Sequence, residues 1–426
     1  TVVQMSFSQF QELAEQKEPQ FILSAISVLI PAINLIPENF DSLIDNIFSE
    51  LLNFLGSSDK YVQQFASESL SSIASNFSDF ITNNIVEIVQ AILFFIQEAN
   101  ATNGTSLLYC ILANTAFSDP VFESLLPTVL EWLRCPDPII KQDSTMILYY
   151  LIERGQQQVP YFIEDIASNV ISLLKENLEA YYPVFNVIAS LCRNTPELMI
   201  NYASEFIPII MEGIDSDDLA VKGQALNMIS VLPPIVLKDP DYQEGFMEKF
   251  FDVCLEIANS ELDDTLDDQI LTISGIAVFQ ASFLVSYFKS AGLDNAVELL
   301  PSVLPAVVHI ARLSSMNCLT YAVKSFNYLT ILISSSQSGN DEVTNPTEEL
   351  IDLFIEKLTE SSRYEFSILS DIIKAIAEII RCCGIDILKR KELDLIGILS
   401  SVLTQTMNPY TGALFVPADI LDPISN

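Results

Sequence analysis

The chain has 426 residues, half of them hydrophobic, with 20 Lys+Arg against 56 Asp+Glu and a formal charge of −36. So much apolar material excludes low-hydrophobicity disorder, and so large an acidic excess excludes nucleic acid and anionic membrane surfaces, whose binding needs clustered Lys and Arg. A single His removes every zinc site built on two histidines, and the acidity points to a positively charged ligand, most simply a basic protein segment.

The chain opens on Thr1-Val2-Val3-Gln4, without the charged and apolar regions of a signal peptide. With no initiator Met it reads as part of a longer chain. Two uncharged runs, residues 19–37 and 269–288, approach the ~20 residues of a membrane span. Ser24, Ser27, Pro31 and Asn34 interrupt the first; Gln269, Thr272, Ser274, Gln280, Ser282 and Ser286 interrupt the second. Both read as buried helices, and no membrane insertion is expected.

Along the whole sequence a polar or proline start is followed by apolar residues at i, i+3, i+4 and i+7, the helical period. The last core residue of each second helix recurs as Leu55, Ile96, Leu133, Leu174, Ile214, Ile257, Ile310, Leu358 and Leu403. The interval is about 40–50 residues, that of HEAT and armadillo units. The approximate repeats are 20–55, 59–97, 103–133, 136–175, 178–214, 216–258, 264–312, 314–358 and 362–405. Loops are expected near 290–295 and 334–346.

Two units show the logic. Pro136-Asp137-Pro138 starts a helix over 139–154, because proline suits a first turn, and Gly155 stands at its end. A second helix covers 159–175, with Tyr161, Phe162, Ile166, Val170 and Leu174 assigned to one stripe. Further on, Asp215, Ser216 and Asp217 offer caps for a helix over 219–231 that Pro233-Pro234 stops, followed by one over 242–258. No stretch alternates with period two. The fold class is therefore all-α, a right-handed α-solenoid of about nine HEAT-type helix pairs, continuous over 1–426.

Little in the sequence advertises bond chemistry. Nucleophile elbows, P-loops and dinucleotide fingerprints are absent, so no enzyme and no cofactor is expected. His309 has no motif partner and reads as a packing or surface residue. Cys110, Cys135, Cys192, Cys254, Cys318, Cys382 and Cys383 lie in or beside apolar stretches with no CxxC and read as reduced core thiols. Sequons at Asn76, Asn100 and Asn103 are of a kind common by chance. The Lys389-Arg390-Lys391 triplet reads as compensation of a helix C-terminus.

Two dense acidic runs are the candidates for contact with a basic ligand. One is Asp215, Asp217 and Asp218; the other is Glu261, Asp263, Asp264, Asp267 and Asp268. Both read first as capping and solvation and second as an acidic rim, since carboxylate contacts to Lys and Arg gain strength when partly desolvated. They lack the spacing and glycine of a calcium loop, and no metal site is expected. Trp132, the one tryptophan, is either a core residue or an exposed anchor.

Three stretches resemble a known family. They are Tyr202-Ala203-Ser204-Glu205-Phe206-Ile207-Pro208 through Lys222-Gly223 to Ile229-Ser230; Asp267-Asp268-Gln269-Ile270 followed by a long apolar helix and Leu300-Pro301-Ser302-Val303-Leu304; and Ile368-Leu369-Ser370-Asp371-Ile372-Ile373 through Gly384. Their order is similar to the importin beta-3-like branch of the importin-β (karyopherin-β) superfamily, whose members are much longer. The resemblance implies a monomeric nuclear transport receptor of cytoplasm and nucleus. Such a receptor carries basic cargo (nuclear localisation signals, ribosomal proteins or histones) on an acidic concave surface, meets FG nucleoporins on its outer helices and lets go of cargo when Ran-GTP binds; the N-terminal repeats that hold Ran in the family are not evident in this sequence. The alternative is a HEAT scaffold or assembly chaperone for a protein complex.

Overall fold

In the computed structural model the described residues run from 41 to 383, apart from 56, 58, 77, 99–100, 118, 178–182, 237–245, 261–262, 293, 337–340 and 360–365. Residues 19–37, Glu261, Leu403 and the 389–391 triplet lie outside them, as do the side chains of Cys382 and Cys383. Among the described residues there is no strand. The chain divides into two compact units, Thr1–Phe206 and Ile207–Asn426.

The first unit contains α1 (Asp41–Leu55), α2 (Lys60–Asn76), α3 (Ile85–Glu98), α4 (Ala101–Asn114), α5 (Asp119–Trp132), α6 (Pro138–Arg154), α7 (Val159–Glu176) and α8 (Val184–Asn194). The boundary falls within α9 (Ala203–Asp215). The second unit continues with α10 (Leu219–Met228), α11 (Phe246–Ala258), α12 (Asp268–Ser290), α13 (Leu300–Arg312), α14 (Met316–Ser336), α15 (Asp341–Thr359) and α16 (Phe366–Cys383).

Parity orders the packing. In the first unit α2, α4, α6 and α8 stack in succession, and α1, α3 and α5 stack beside them. In the second, α10, α12, α14 and α16 form one layer and α11, α13 and α15 the other. Helices α1, α3, α5, α7, α11, α13 and α15 each also pack on an even one. This is the helix-pair stacking of HEAT repeats, in which two helices alone cannot bury their apolar faces and the neighbouring pair completes the job. Phe122, Phe185, Leu51 and Leu55 fill the first core; Phe250, Phe326 and Phe354 fill the second. Of the expected anchors, Leu55, Ile96, Leu133, Leu174, Ile214, Ile310 and Leu358 are buried. Ile257 is only half-buried, and Cys254 and Ala258 hold that place.

Aspartates open α2, α6, α10 and α12. The carboxylate of Asp59 accepts from the Tyr61 N–H, Asp137 from Ile139 and Ile140, Asp218 from Ala220 and Val221, and Asp267 from Gln269. Each satisfies N–H groups that the first helical turn leaves without partners, for about 1 kcal/mol. At the start of α10 the cap is Asp218, not Asp215, Ser216 or Asp217, because only Asp218 sits in extended backbone immediately before the first helical residue.

Gly155 caps α6 as expected, and three other local expectations change. The Gly155 φ of −92° is ordinary. The glycine is there for space, not for handedness. Tyr161 is 81% exposed and off the buried stripe of Ile166, Val170 and Leu174, since a residue five positions before Ile166 lies about 140° around the helix. The Pro233-Pro234 pair ends one helical stretch, which tightens into a 3-10 turn over Ile229–Val231, but it also begins a short helix, Pro233–Val236. The serine-rich 334–346 stretch is mostly helical: α14 runs to Ser336 and α15 starts at Asp341. The hydroxyls of Ser334, Ser335 and Ser336 donate back to the carbonyls of Ile331, Leu332 and Ile333, so polar residues extend the helix instead of breaking it.

The long apolar run is α12, the one described helix long and apolar enough to cross a membrane; 67% of its most apolar window is buried within the protein.

A half-buried carboxylate ties two even helices together. Asp143 on α6 accepts from the hydroxyls of Thr105 and Ser106 on α4, at 2.9 and 2.6 Å. Burial pushes its carboxyl above the usual range, while the Ser106 and Thr105 bonds pull the other way. A raised folded-state value means that the ionised form is disfavoured in the native protein. Its stabilising contribution is largest at acid pH and is lost as pH rises through the folded value. Asp143→Asn, which keeps an acceptor oxygen, should therefore raise the melting temperature by about 2 °C at neutral pH. The difference should close as the pH is lowered below 4. Thermal melts of the two proteins across pH check this, and a less stable Asn variant at neutral pH would contradict it.

Candidate interaction surface

Charge follows the same parity as packing. In the first unit α1, α3 and α5 carry acids and no Lys or Arg. On α7, Glu164 and Asp165 are exposed and Lys175 is the only cation. The even helices differ: α4 has no charged residue, α8 has only Arg193, and α2 and α6 carry equal numbers of each sign. In the second unit α11 carries three acids and one Lys, and α15 six and one. Against them α10 and α14 carry a single Lys each and no acid, while α12 and α16 are balanced. Helix α13 breaks the acidic series, with His309 half-buried and Arg312 exposed, paired to Glu349 of α15.

The clearest acidic feature is on α11. Glu248, Asp252 and Glu256 are all exposed and stand at i, i+4 and i+8, one line along a single helix face. Among the described residues none of them has an ion-pair or hydrogen-bond partner. Like charges four apart on a helix cost about 0.2–0.5 kcal/mol per pair, so this stripe is a burden to the helix that carries it.

The dense runs singled out in the sequence occupy turns. Asp215 ends α9, and exposed Asp217 and Asp218 fill the turn to α10, where Asp218 is the cap. In the turn from α11 to α12, Asp263 accepts from the backbone and hydroxyl of Thr265, which hold its carboxyl below the usual range. Asp264 accepts from the Ser314 N–H and hydroxyl at 2.7 and 3.0 Å. Asp267 caps α12. Asp268 accepts from the Ser315 hydroxyl at 2.7 Å and from Asn317 at 3.3 Å. Asp264 and Asp268 thus sew one inter-repeat turn to the next. Trp132 ends α5 half-buried, beside exposed Glu131.

The even layer of the second unit carries aromatic side chains. Phe279 and Phe283 of α12 meet Tyr328 of α14 at 5.6 and 5.5 Å between ring centroids, Phe279 meets Tyr321 at 6.1 Å, and Tyr287 stacks on Phe283. Gly275 brings the helices together there: a Cβ on it would lie 2.8 Å from Tyr321 Cδ2. Tyr328 is 38% and Ile331 65% exposed, while Phe279, Phe283, Tyr287 and Tyr321 are half-buried, so the seam between the two helices is a partly open aromatic strip.

Among the described residues no group of three or more His, Cys, Asp or Glu is placed to hold a metal. Cys192, Cys254 and Cys318 are buried, Cys110 and Cys135 half-buried. Burial raises the first three thiols, Cys318 to about 11, which leaves them protonated and unreactive at neutral pH.

No family model and no curated protein sequence matches the chain. Solved structures do. Importin β aligns over 100% of this chain and 55% of its own, at 12% identity and a TM-score of 0.69. The fold is that of the importin-β solenoids. Kap95p, crystallised with RanGDP, aligns over 98% of this chain and 52% of its own, at 13% identity and a TM-score of 0.59. The karyopherin Kap121p, bound to Pho4p, aligns over 94% and 39%, at 13% identity and a TM-score of 0.58. The chain thus spans about half the length of importin β and Kap95p, and less of Kap121p.

The exposed acids that sequence reasoning missed are those on the odd layer. Density drew attention to the turns, where acids cap and sew. The useful signal was parity, acids on second helices and few on first, together with the i, i+4, i+8 spacing on α11.

Proposed function

We propose that this chain is the cargo-binding part of a nuclear transport receptor, of the importin beta-3-like kind, that shuttles between cytoplasm and nucleus. Basic protein cargo lies along the acidic odd helices. The aromatic seam between α12 and α14 receives the Phe side chains of FG nucleoporins. The observation that carries the reading is the division of charge by layer on an importin-β fold, with an unpaired carboxylate stripe on α11. Binding of this kind needs no bond chemistry: several weakly desolvated ion pairs add up over an extended face.

The test is a titration of the purified chain with a Lys/Arg-rich nuclear-signal peptide at low and moderate salt, followed by Ran loaded with GTP. Salt-sensitive binding reversed by Ran-GTP is expected of a receptor with its Ran site present. Binding without reversal supports a cargo-binding segment alone, and no binding at low salt would sink the proposal.

A further inference from the structure

The carbonyl of Ser230 has no local donor. An α-helix would bring it the N–H of residue 234 and a 3-10 turn that of residue 233, and both are prolines, which carry none. Its neighbour Ile229 receives only the Leu232 N–H, at a long 3.4 Å. The break between α10 and the short helix Pro233–Val236 therefore has few backbone bonds of its own. Level with it on α12 stands a side chain without a bond. Gln280 is 1% exposed, its Oε1 has no partner, and among the described residues its amide nitrogen has none either.

Register brings the two together. Ile273, Ile276 and Gln280 share one face of α12, and the Ile273 and Ile276 methyls lie 2.9 and 3.8 Å from where a Cβ on Gly223 of α10 would stand. Ser230 follows Gly223 by about two helical turns, as Gln280 follows Ile273, and the 3-10 turn Ile229–Val231 packs on α12. The buried hydroxyls of Ser325 and Ser370 also lack partners, but a serine hydroxyl can rotate onto the carbonyl one turn behind it. A Gln amide has no such local remedy, and burying it unpaired is costly.

We infer that the 229–234 break is a hinge and that Gln280 is its latch: the amide is stored unpaired while the break is closed, and a small opening lets its Nε2 donate to the Ser230 carbonyl. The same opening admits water to Oε1 from the half-exposed side of Ser230. The closed form keeps its apolar packing and the open form gains a bond, so the two lie close in free energy and the break is bistable. Gly223 is the pivot, since the missing Cβ lets α10 rest directly on Ile273. The short helix Pro233–Val236 packs on α11, so the angle of the break sets where α11 and its carboxylate stripe stand. The inference does not depend on what that stripe binds.

Hydrogen exchange of the full chain, read by mass spectrometry in peptides over 224–236 and over 316–336 of α14, tests it. Gln280→Met fills nearly the same volume without polar atoms and deprives the open form of its bond. Exchange at the break should slow about tenfold, the factor of one hydrogen bond, while exchange in α14 stays unchanged. Pro234→Ala, at an exposed position, returns an N–H to the Ser230 carbonyl and should slow the break by itself. In that background Gln280→Met should slow it no further. Thermal melts of the same proteins show that each is folded. A Gln280→Met protein that melts higher yet exchanges at the break like wild type would make the amide a passive buried defect and overturn the latch. A lower melting temperature with faster exchange would overturn it too, because the amide would then already be bonded in the closed form. Unchanged exchange in Pro234→Ala would overturn the hinge itself.

Discussion

Replacing Glu248, Asp252 and Glu256 by Gln, Asn and Gln should weaken the binding of a basic peptide on the order of a hundredfold at low salt. The three carboxylates line one face of α11 and are exposed and unpaired among the described residues. A charged hydrogen bond to such a ligand is worth about 1.5–3 kcal/mol when well made, less when wet, so three partly desolvated contacts reach that size. The sign of the stability change is what separates a ligand site from a structural one. Two like-charge i, i+4 repulsions disappear with the substitution, so the variant should melt no lower than wild type and slightly higher at low ionic strength. The slope of log affinity against log salt should fall too. As a control, removing Glu68, Asp371 and Glu378 from even helices, where they already pair with Gln64, Lys374 and Arg381, makes the same change in net charge without opening an unpaired stripe and should change affinity little. Isothermal titration across three salt concentrations and thermal melts of the same samples read out both halves. Loss of affinity in the control as great as in the α11 variant would show that only net charge matters.

Gly155→Ala should lower the melting temperature of the chain by about 4–8 °C, some 2 kcal/mol in a unit of this size. Gly155 N–H donates to the Leu151 carbonyl at 2.7 Å and ends α6. With φ at −92° the backbone accepts any residue, and by chain entropy alone alanine would stabilise by about 0.4–1 kcal/mol. Space decides against it. A Cβ would lie 2.4 Å from Phe122 Cδ2, 2.8 Å from Cε2 and 2.7 Å from the Leu151 oxygen. The Phe122 ring is fully buried on α5 and meets Phe162 of α7 at 5.9 Å, so it has no open side to turn into. Pairing the change with Phe122→Leu should recover part of the loss, giving a coupling energy that neither single variant predicts. An alanine variant that melts higher than wild type would mean that the ring moves freely.

The helices were legible where local chemistry and period agree. Pro136-Asp137-Pro138 predicts the start of α6 because proline and an aspartate cap act within four residues, and the structure begins that helix at Pro138. The alternation of helix pairs followed from the recurrence of buried anchors such as Leu133, Leu174 and Ile214. Phase was harder. Tyr161 sits only one residue from the half-buried Phe162, yet it faces out, and a one-residue error on a helix is a 100° turn. The exposed, unpaired acids of α11 were least legible. Asp264 and Asp268 stand out in the sequence because they are crowded, and they are crowded because a turn must be capped and held. Glu248, Asp252 and Glu256 are spaced by whole turns, so they look dilute on paper and become a line only when the helix is built.

The sewn turn between α12 and α14 bears on how the second unit deforms. Asp264 and Asp268 reach across to Ser314, Ser315 and Asn317, Asn317 also donates to Thr272, and the Cys318 thiol donates to the Leu271 carbonyl. At the junction of α10 with α12, the contact of Gly223 with Ile273 is apolar. Stacked repeats share an imposed bend among their junctions according to the compliance of each. The sewn junction is therefore the stiffer link, and a bend imposed on the second unit is expected to fall more on the α10 side than on the seam between α12 and α14.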